Sequence, residues 1–495
     1  MKPIGTITSC FPYIDGETKS ILQSVMEEAK DYNDFAERLV EKALSEELPE
    51  LAIYFTYFHV YILDKYDFLH QLRNKGIKSD LTIFFGLLSA ARAGEKVEWN
   101  EYQKALFSAL KSVENDWMAC HLYITWRIMI EAFGYPEVST DNETMNILED
   151  KILNDDRYGY FLVALYSIKS IQLDREGNTA ECISYCDKAI KEAKKYDDKE
   201  ALTSLLLRKA NKIKHFNIHE ALSILEIAKK LADELGYISA KGAYHHVLGH
   251  IAMARGEFEK STAYQEQYLA SREKTGLPVG FLKCVMASIY NQKGDGKTAL
   301  ELVLEGQDDF VLTEVVYSHV QETWAHILLD QLDEASESLD KARELSLKYG
   351  EETDVGFIHV LEGMLAKRNG DLASASYSFN QAFGIFKKSN STAYINFTLV
   401  ELVDTEIELI SNKKDIPSLD NSGPWMRELQ QHVAERDLPG TEAHAKLLLA
   451  KFRFKQGRVT ESQSLADEVL DIAETTGMTY LKKKAEDLLP EVLLS

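Results

Sequence analysis

The sequence predicts an all-α fold, an α-solenoid made of stacked helical hairpins, and three observations carry that prediction. Apolar residues recur at helical spacing in segments parted by tight glycine turns, as in GAYHHVLGHIAMARGEFEKSTAYQEQYLASREKTG from Gly242 to Gly276. There Leu248 and Gly249 lie in one run, Gly256 closes it, and Phe258, Tyr264, Tyr268 and Leu269 continue the pattern in the next. The same turn-and-helix signature returns from positions 177, 216, 256, 294, 330 and 370, at intervals of 39, 40, 38, 36 and 40 residues. Proline is scarce, and most of the nine (Pro49, Pro136, Pro278, Pro417, Pro424, Pro439 and Pro490 among them) fall where helices would end. Two helices and one turn cannot bury their own apolar faces, so each hairpin needs copies beside it. A chain of 495 residues is also too long for one compact core.

Taken in order, residues 1–16 read as irregular, with Ile4, Ile7, Phe11 and Ile14 free to tuck against the first helices. Amphipathic helices are expected over Glu17–Lys30 and Tyr32–Leu44, and this end is acidic, with 11 carboxylates against 4 cations between Asp15 and Glu50. Further helices are expected over Leu51–Leu72, Asp80–Ala93, Val97–Val113 and Trp117–Phe133. They are rich in large rings, including Tyr54, Phe55, Tyr57, Phe58, Tyr61, Phe84, Phe85, Trp99, Trp117, Tyr123 and Trp126, and so need cover on more than one side. Residues 1–156 therefore form an aromatic-rich N-terminal helical region, either degenerate repeats or a capping domain. Ser139–Asp156 reads as a polar connector with a short helix.

The regular array is expected over 157–478. Its signatures are GNTAECISYCDKAI from Gly177, FNIHEALSILEIAK from Phe216, GEFEKSTAYQEQYL from Gly256 and GDGKTALELVLEG from Gly294. DQLDEASESLDKA from Asp330, GDLASASYSFNQAF from Gly370 and GRVTESQSLADEVL from Gly457 complete the series. The 87-residue step to Gly457 leaves room for one degenerate unit, with helices over Thr392–Leu409 and Gly423–Arg436. A C-terminal capping helix is expected within 479–495, from about Tyr480 to Leu489, where Lys482-Lys483-Lys484 suits a polar outer face and Pro490 stops the helix.

These units resemble the tetratricopeptide repeat (TPR) family, in which a first helix carries a Leu-Gly pair, a glycine makes the turn and small residues follow in the second helix. Leu248-Gly249, Gly256 and Phe258 match in one unit; Gly363, Gly370, Ala375, Phe379 and Ala382 match in another; Tyr290, Gly294, Ala299, Gly457 and Ala466 match in two more. The repeat is longer than the family's 34 residues and mostly lacks the closing proline, and in this it looks like the repeat domains of bacterial and archaeal regulators. The resemblance covers roughly 157–490 and implies a right-handed superhelical array whose first helices line a concave groove.

Carrying the repeat register over places His246, His250, Tyr317, Trp324, Phe357, Met364, Lys367 and Arg368 toward that groove, with Leu447 and Lys451 further on. Aromatic and methionine side chains suit a partner helix or peptide; packing between hairpins is the competing account. His246 and His250 share a helix face at metal-ligand spacing, but no third ligand is near in sequence, so no metal and no cofactor is expected. First helices end repeatedly in a cation, at Arg175, Lys214, Arg255, Lys293, Arg368 and Lys455. Such cations complement the helix dipole, and a basic rim for an acidic partner is the functional alternative. Cys182 and Cys186, also four apart, read as core.

A net charge of −23 argues against nucleic acid and anionic membrane as partners. The most lipid-like stretch, Leu51–Leu63, is 13 residues, against about 20 for a span. Five scattered cysteines and no signal-peptide pattern suit a cytoplasmic protein. No phosphate loop or nucleophile motif is present, so the expectation is a non-enzymatic scaffold or adaptor binding a protein or peptide. The alternative is a regulatory module that senses a small-molecule or peptide effector and acts through another chain. Self-association into a homo-oligomer is left open.

Overall fold

The computed structural model describes residues 11–49, 52–56, 99–113, 116–133, 142–175, 178–214, 217–275, 279–307, 314–349, 352–389, 392–411, 423–435 and 438–493, with isolated positions between 71 and 87. Among them the regular elements are all helical. The helices expected over Leu51–Leu72 and Asp80–Ala93 lie largely outside the described residues, as do Tyr57, Phe58, Tyr61, Phe85, Gly177, Phe216, Gly276, Pro278 and the loop at Pro417.

The chain divides into two compact units: Met1–Ile213 with His219–Tyr244 and Tyr268–Pro278, and Lys214–Ile218 with His245–Gln267 and Val279–Ser495. The first holds α1 (Gly16–Glu28), α2 (Tyr32–Ser45), α3 (Trp99–Ser112), α4 (Asp116–Phe133), α5 (Asn142–Asn154), α6 (Leu162–Arg175), α7 (Thr179–Lys195), α8 (Lys199–Ile213) and α9 (Ile218–Leu235). Asp15 and Asp31 cap α1 and α2 by accepting the peptide N–H of Thr18 and of Asp34. The rings noted in the sequence form one core: Tyr32, Phe35, Tyr54, Phe55, Phe84, Trp117, Tyr123 and Phe161 are all buried. The Tyr54 hydroxyl hydrogen-bonds His121 Nδ1, and burial lowers the His121 pKa to about 3, so that imidazole accepts as the neutral base. In the α6/α7 hairpin Cys182 and Cys186 are buried against Ser170 Oγ, at 3.4 and 3.0 Å.

The division falls within α10 (Ile238–Ala254) and α11 (Phe258–Thr275). The second unit continues with α12 (Gly280–Lys293), α13 (Gly296–Gly306), α14 (Glu314–Leu328), α15 (Leu332–Tyr349), α16 (Glu352–Arg368), α17 (Leu372–Lys388), α18 (Thr392–Ser411), α19 (Gly423–Ala434), α20 (Pro439–Lys455), α21 (Val459–Thr476) and α22 (Thr479–Leu493). Consecutive helices pair as the TPR-like hairpins expected, α12 with α13, α14 with α15, α16 with α17 and α20 with α21.

The repeat has a simple physical basis. After each first helix one residue turns left-handed: Gly256, Gly294, Gly370 and Gly457, and Asp330 where the sequence has no glycine. Five residues past that turn the second helix always buries a small side chain, at Ser261, Ala299, Ala335, Ala375 and Ser462. Twelve residues before it the first helix does the same, at Gly249, Ala287, Thr323, Gly363 and Ala450. These positions face one another: Ser261 Oγ donates to the Gly249 carbonyl and Ser462 Oγ to that of Ala450, both at 2.8 Å. A Cβ on Gly363 would stand 2.6 Å from the Phe379 ring, so the spacing of the two helices depends on its absence.

One boundary differs from expectation. Pro490 does not end the last helix, which runs on to Leu493. A proline so near the end removes a single N–H donor, at a point where the last carbonyls go without helical donors anyway.

Candidate functional site

Two features stand on the first-helix side of the second unit. One is a ladder of rings. Phe281, Tyr317, Phe357 and Tyr394 come from α12, α14, α16 and α18, with successive centroids 5.8, 5.9 and 4.4 Å apart. Phe281 is 41% exposed at one end, Tyr317 and Tyr394 are half-buried, and Phe357 is buried. Burial, then the neighbouring Tyr394, pushes the Tyr317 hydroxyl pKa well up, so it stays protonated as a donor.

The other feature is a cavity of about 190 Å³ to which α10, α12, α14, α16, α18, α20 and α22 all contribute. It forms where the chain returns on itself. The Gly440 peptide N–H, at the start of α20, donates to the Arg255 carbonyl at 2.7 Å. Gly256 and Gly440 lie backbone to backbone: a Cβ on Gly440 would come within 2.6 Å of the Gly256 Cα. Asn396 Nδ2 donates to the Ala254 carbonyl, 142 residues away, at 3.1 Å, while His432 Nε2 contacts Asn396 Oδ1 at 2.7 Å. Thr479 Oγ1 donates to Glu259 Oε1 at 2.7 Å, and the Phe258 and Tyr480 rings meet at 5.2 Å. The long open trough expected from the repeat register is thus closed across at this point.

The cavity has two kinds of wall. Met253, Phe258, Trp324, Met364 and Phe397 make an apolar side; Glu401, Asp404, Lys451 and Lys484 make a charged one. Behind it Lys367 Nζ reaches Asp404 at 2.6 Å and Glu401 at 3.2 Å, with Glu408 at 3.9 Å. Burial disfavours charge on Lys367, yet Glu401 and Asp404 outweigh it and raise its pKa. Burial likewise opposes ionisation of Asp404, and Lys367 with Lys451 overcomes it and lowers that pKa. Lys484 has its pKa lowered, by its surroundings first and by Lys451 second. His444 is held neutral, its pKa lowered to about 3 by burial and then by Lys484, and the Tyr480 hydroxyl lies 2.7 Å from its Nε2.

The residues expected at the groove are therefore dispersed. Trp324 and Met364 line the cavity, Lys367 stands behind its charged wall, and Tyr317 and Phe357 belong to the ladder. His246 and His250 line neither; their Nε2 atoms meet at 3.1 Å and His246 Nδ1 contacts Gln265 Oε1 at 3.0 Å. Among the described residues no group of three His, Cys, Asp or Glu side chains is placed to hold a metal. Of the basic series, Arg255 pairs with Glu257 at 3.1 Å and Lys293 reaches Glu259 at 3.6 Å. Lys214 is buried, Arg368 and Lys455 are exposed, and the Arg175 side chain lies outside the described residues.

Lys484 corrects the outer-cap reading of the Lys482–Lys484 run. Lys482 pairs with Glu474, and Lys483 and Lys484 are both exposed, but Lys484 also lines the cavity. The signal was present in the helical period: Tyr480 and Lys484 are four apart, and Gly440, His444, Leu447 and Lys451 fall at four, three and four.

No family model matches the sequence, and no curated protein matches it. Solved structures with a similar course of chain include a Rap protein complexed with Competence and Sporulation Factor, at 10% identity and a TM-score of 0.45, covering 67% of this chain and 98% of that one. The APC/C hetero-tetramer Cut9–Hcn1 aligns at 13% identity and 0.43, over 97% of this chain and 98% of that one. Yeast Tom70 aligns at 14% identity and 0.33, over 96% and 95%. These scores are low, and the fold stands on the helix pairing itself.

Proposed function

We propose that this protein is a helical-repeat scaffold that takes a peptide or helix of a partner protein on the first-helix side of its second unit. The observation that carries this reading is the ring ladder, to which four successive first helices each give one aromatic, with Phe281 open to solvent. Rings held by stacked helices lose little freedom on binding and present large apolar area, which favours affinity. The exposed cations Arg368 and Lys455 add salt-sensitive attraction to an acidic partner. The test is a peptide selected against the protein from a displayed random library, its affinity then measured by calorimetry. Phe281→Ala is expected to weaken binding at least tenfold, whereas Leu347→Ala, on the 88% exposed outer side of α15, leaves it unchanged. Equal affinity for the two variants overturns the reading.

The cavity favours a second reading, a module that senses a small effector and acts through another chain. Its walls combine apolar and charged groups, and its volume is below the roughly 300 Å³ of a drug-sized pocket. A rise in melting temperature with some member of a metabolite panel is the expected sign; no shift with any member counts against it.

A further inference from the structure

We propose that the cavity of the second unit binds a free α-amino acid with an apolar side chain, its carboxylate toward Lys451 and Lys484, its ammonium toward Glu401 and Asp404, and its side chain against Trp324 and Met364. This deepens the sensing reading and rests on it; it is independent of the ring ladder. Both charged pairs and both apolar residues line the same cavity, Lys484 being also exposed to solvent.

The charges are matched but not satisfied. Lys367 is fully engaged, with Asp404 at 2.6 Å and Glu401 at 3.2 Å. Each carboxylate has about four acceptor positions, so one lysine leaves lone pairs free on both. Lys451 and Lys484, by contrast, form no ion pair or side-chain hydrogen bond to an acid among the described residues; Lys484 Nζ lies over the face of Tyr480, 5.5 Å from the ring centroid. Burial, and after it the charge of Lys451, disfavours charge on Lys484, which Glu401 and Asp404 offset only in part. An anion between them relieves that repulsion.

A simple anion would leave the free acceptors of Glu401 and Asp404 unused and add a net negative charge beside them. A simple cation would do the reverse to the lysines. A zwitterion answers both pairs and changes the net charge of the wall by nothing, so that each of its desolvated charges meets a partner. The apolar wall sets the remaining group. The cavity, whose lining includes the Gly256–Gly440 contact, has a volume suited to one residue rather than a length of chain.

Calorimetry of the full-length protein with leucine, methionine and phenylalanine tests this, alongside their N-acetyl and carboxamide derivatives. Saturable binding of at least one free amino acid is expected, weakened tenfold or more by blocking either end. Lys484→Met should abolish the preference for the free carboxylate, Lys484→Arg should retain it, and Met364→Trp should block all binding by filling the space. Three results overturn the proposal: none of the three amino acids binds, the blocked derivatives bind as tightly as the free ones, or Lys484→Met binds as the native protein does. If other members of the metabolite panel raise the melting temperature while these amino acids do not bind, the assignment falls and the cavity reading stands. Circular dichroism melts of each variant establish that it is folded.

Discussion

Each unit buries a cluster of ionisable groups, and the two clusters solve the problem in opposite ways. In the second unit Lys367 is set among three carboxylates, and Lys367 and Asp404 both keep their charge because opposite signs are adjacent. At the start of α8 in the first unit the neighbours have the same sign. Asp198 is 2% exposed and Glu200 5%. Asp198 accepts from the Tyr160 hydroxyl at 2.8 Å and from the Ala201 N–H at 3.0 Å, while Lys199 turns away to Glu234 at 2.7 Å. Neither Glu200 carboxyl oxygen has a donor among the described residues. Burial, and after it the charge of Asp198, raises the Glu200 pKa well above normal. Glu200 therefore keeps its proton, which it can offer to Asp198. Partial burial leads to an ion pair in one place and deeper burial to a neutral acid in the other; the sign of the nearest neighbour decides which form is kept.

The sharpest way to break the contrast is to remove the cation. Lys367→Ala leaves Glu401, Asp404 and Glu408 facing one another, turning the second cluster into a copy of the first. Breaking a fully buried pair costs about 3–5 kcal/mol; since the Lys367 side chain is 17% exposed, a loss of about 2–3 kcal/mol is expected in urea denaturation. With the lysine gone, part of that loss should be recovered on acidification as the carboxylates take up protons. A loss that does not depend on pH would show that the ion pairs were not its source.

The converse change is smaller and of opposite sign. Glu200→Gln replaces a carboxyl held neutral by one that is neutral at every pH and keeps a donor for Asp198. Because the folded pKa of Glu200 lies above its ordinary 4.5, the native state holds a proton that the unfolded chain releases above that pH. Stability therefore falls as pH rises from about 4.5 toward the raised value. The glutamine variant should lack that slope and gain about 1 kcal/mol at pH 7, the size of one hydrogen bond kept. Parallel urea curves at pH 5 and pH 8 for both proteins measure it; an unchanged slope would mean Glu200 is ionised in the native state.

The hairpins were legible in the sequence because their cause is local. Gly256, Gly294, Gly370 and Gly457 mark the left-handed turns, and the apolar period marks the faces. The cavity was legible only in part. Trp324, Met364 and Lys451 were placed toward it by register alone, since one helix is enough to define that register. Glu401, Asp404 and Tyr480 were not, because their roles arise only when helices far apart in the chain are brought together by the Gly256–Gly440 contact. Two glycines that serve a distant backbone contact look, in sequence, like any turn and any helix start. Lys484 was hidden by its neighbours, a run of three cations reading as solvated surface until the helix sorts them by face.

The smallest effects distinguish backbone strain from charge crowding, using the two residues other than glycine that adopt positive φ among the described residues, Asp197 at 51° and Asp330 at 61°. Both stand at turns where a glycine would be free of the steric cost, so Asp330→Gly should stabilise by roughly 0.5 kcal/mol, the relief of the left-handed penalty less the added freedom of the unfolded chain. Asp197→Gly removes the same strain, but it also removes a carboxylate whose field raises the Glu200 pKa. Its gain should therefore exceed that of Asp330→Gly, and only its gain should depend on pH. Combined with Glu200→Gln, Asp197→Gly should fall back to the Asp330→Gly value, because the charge it relieves is no longer present. A double variant whose gains simply add would show that the two residues act separately, and that the acid cluster in the first unit ends at Asp198.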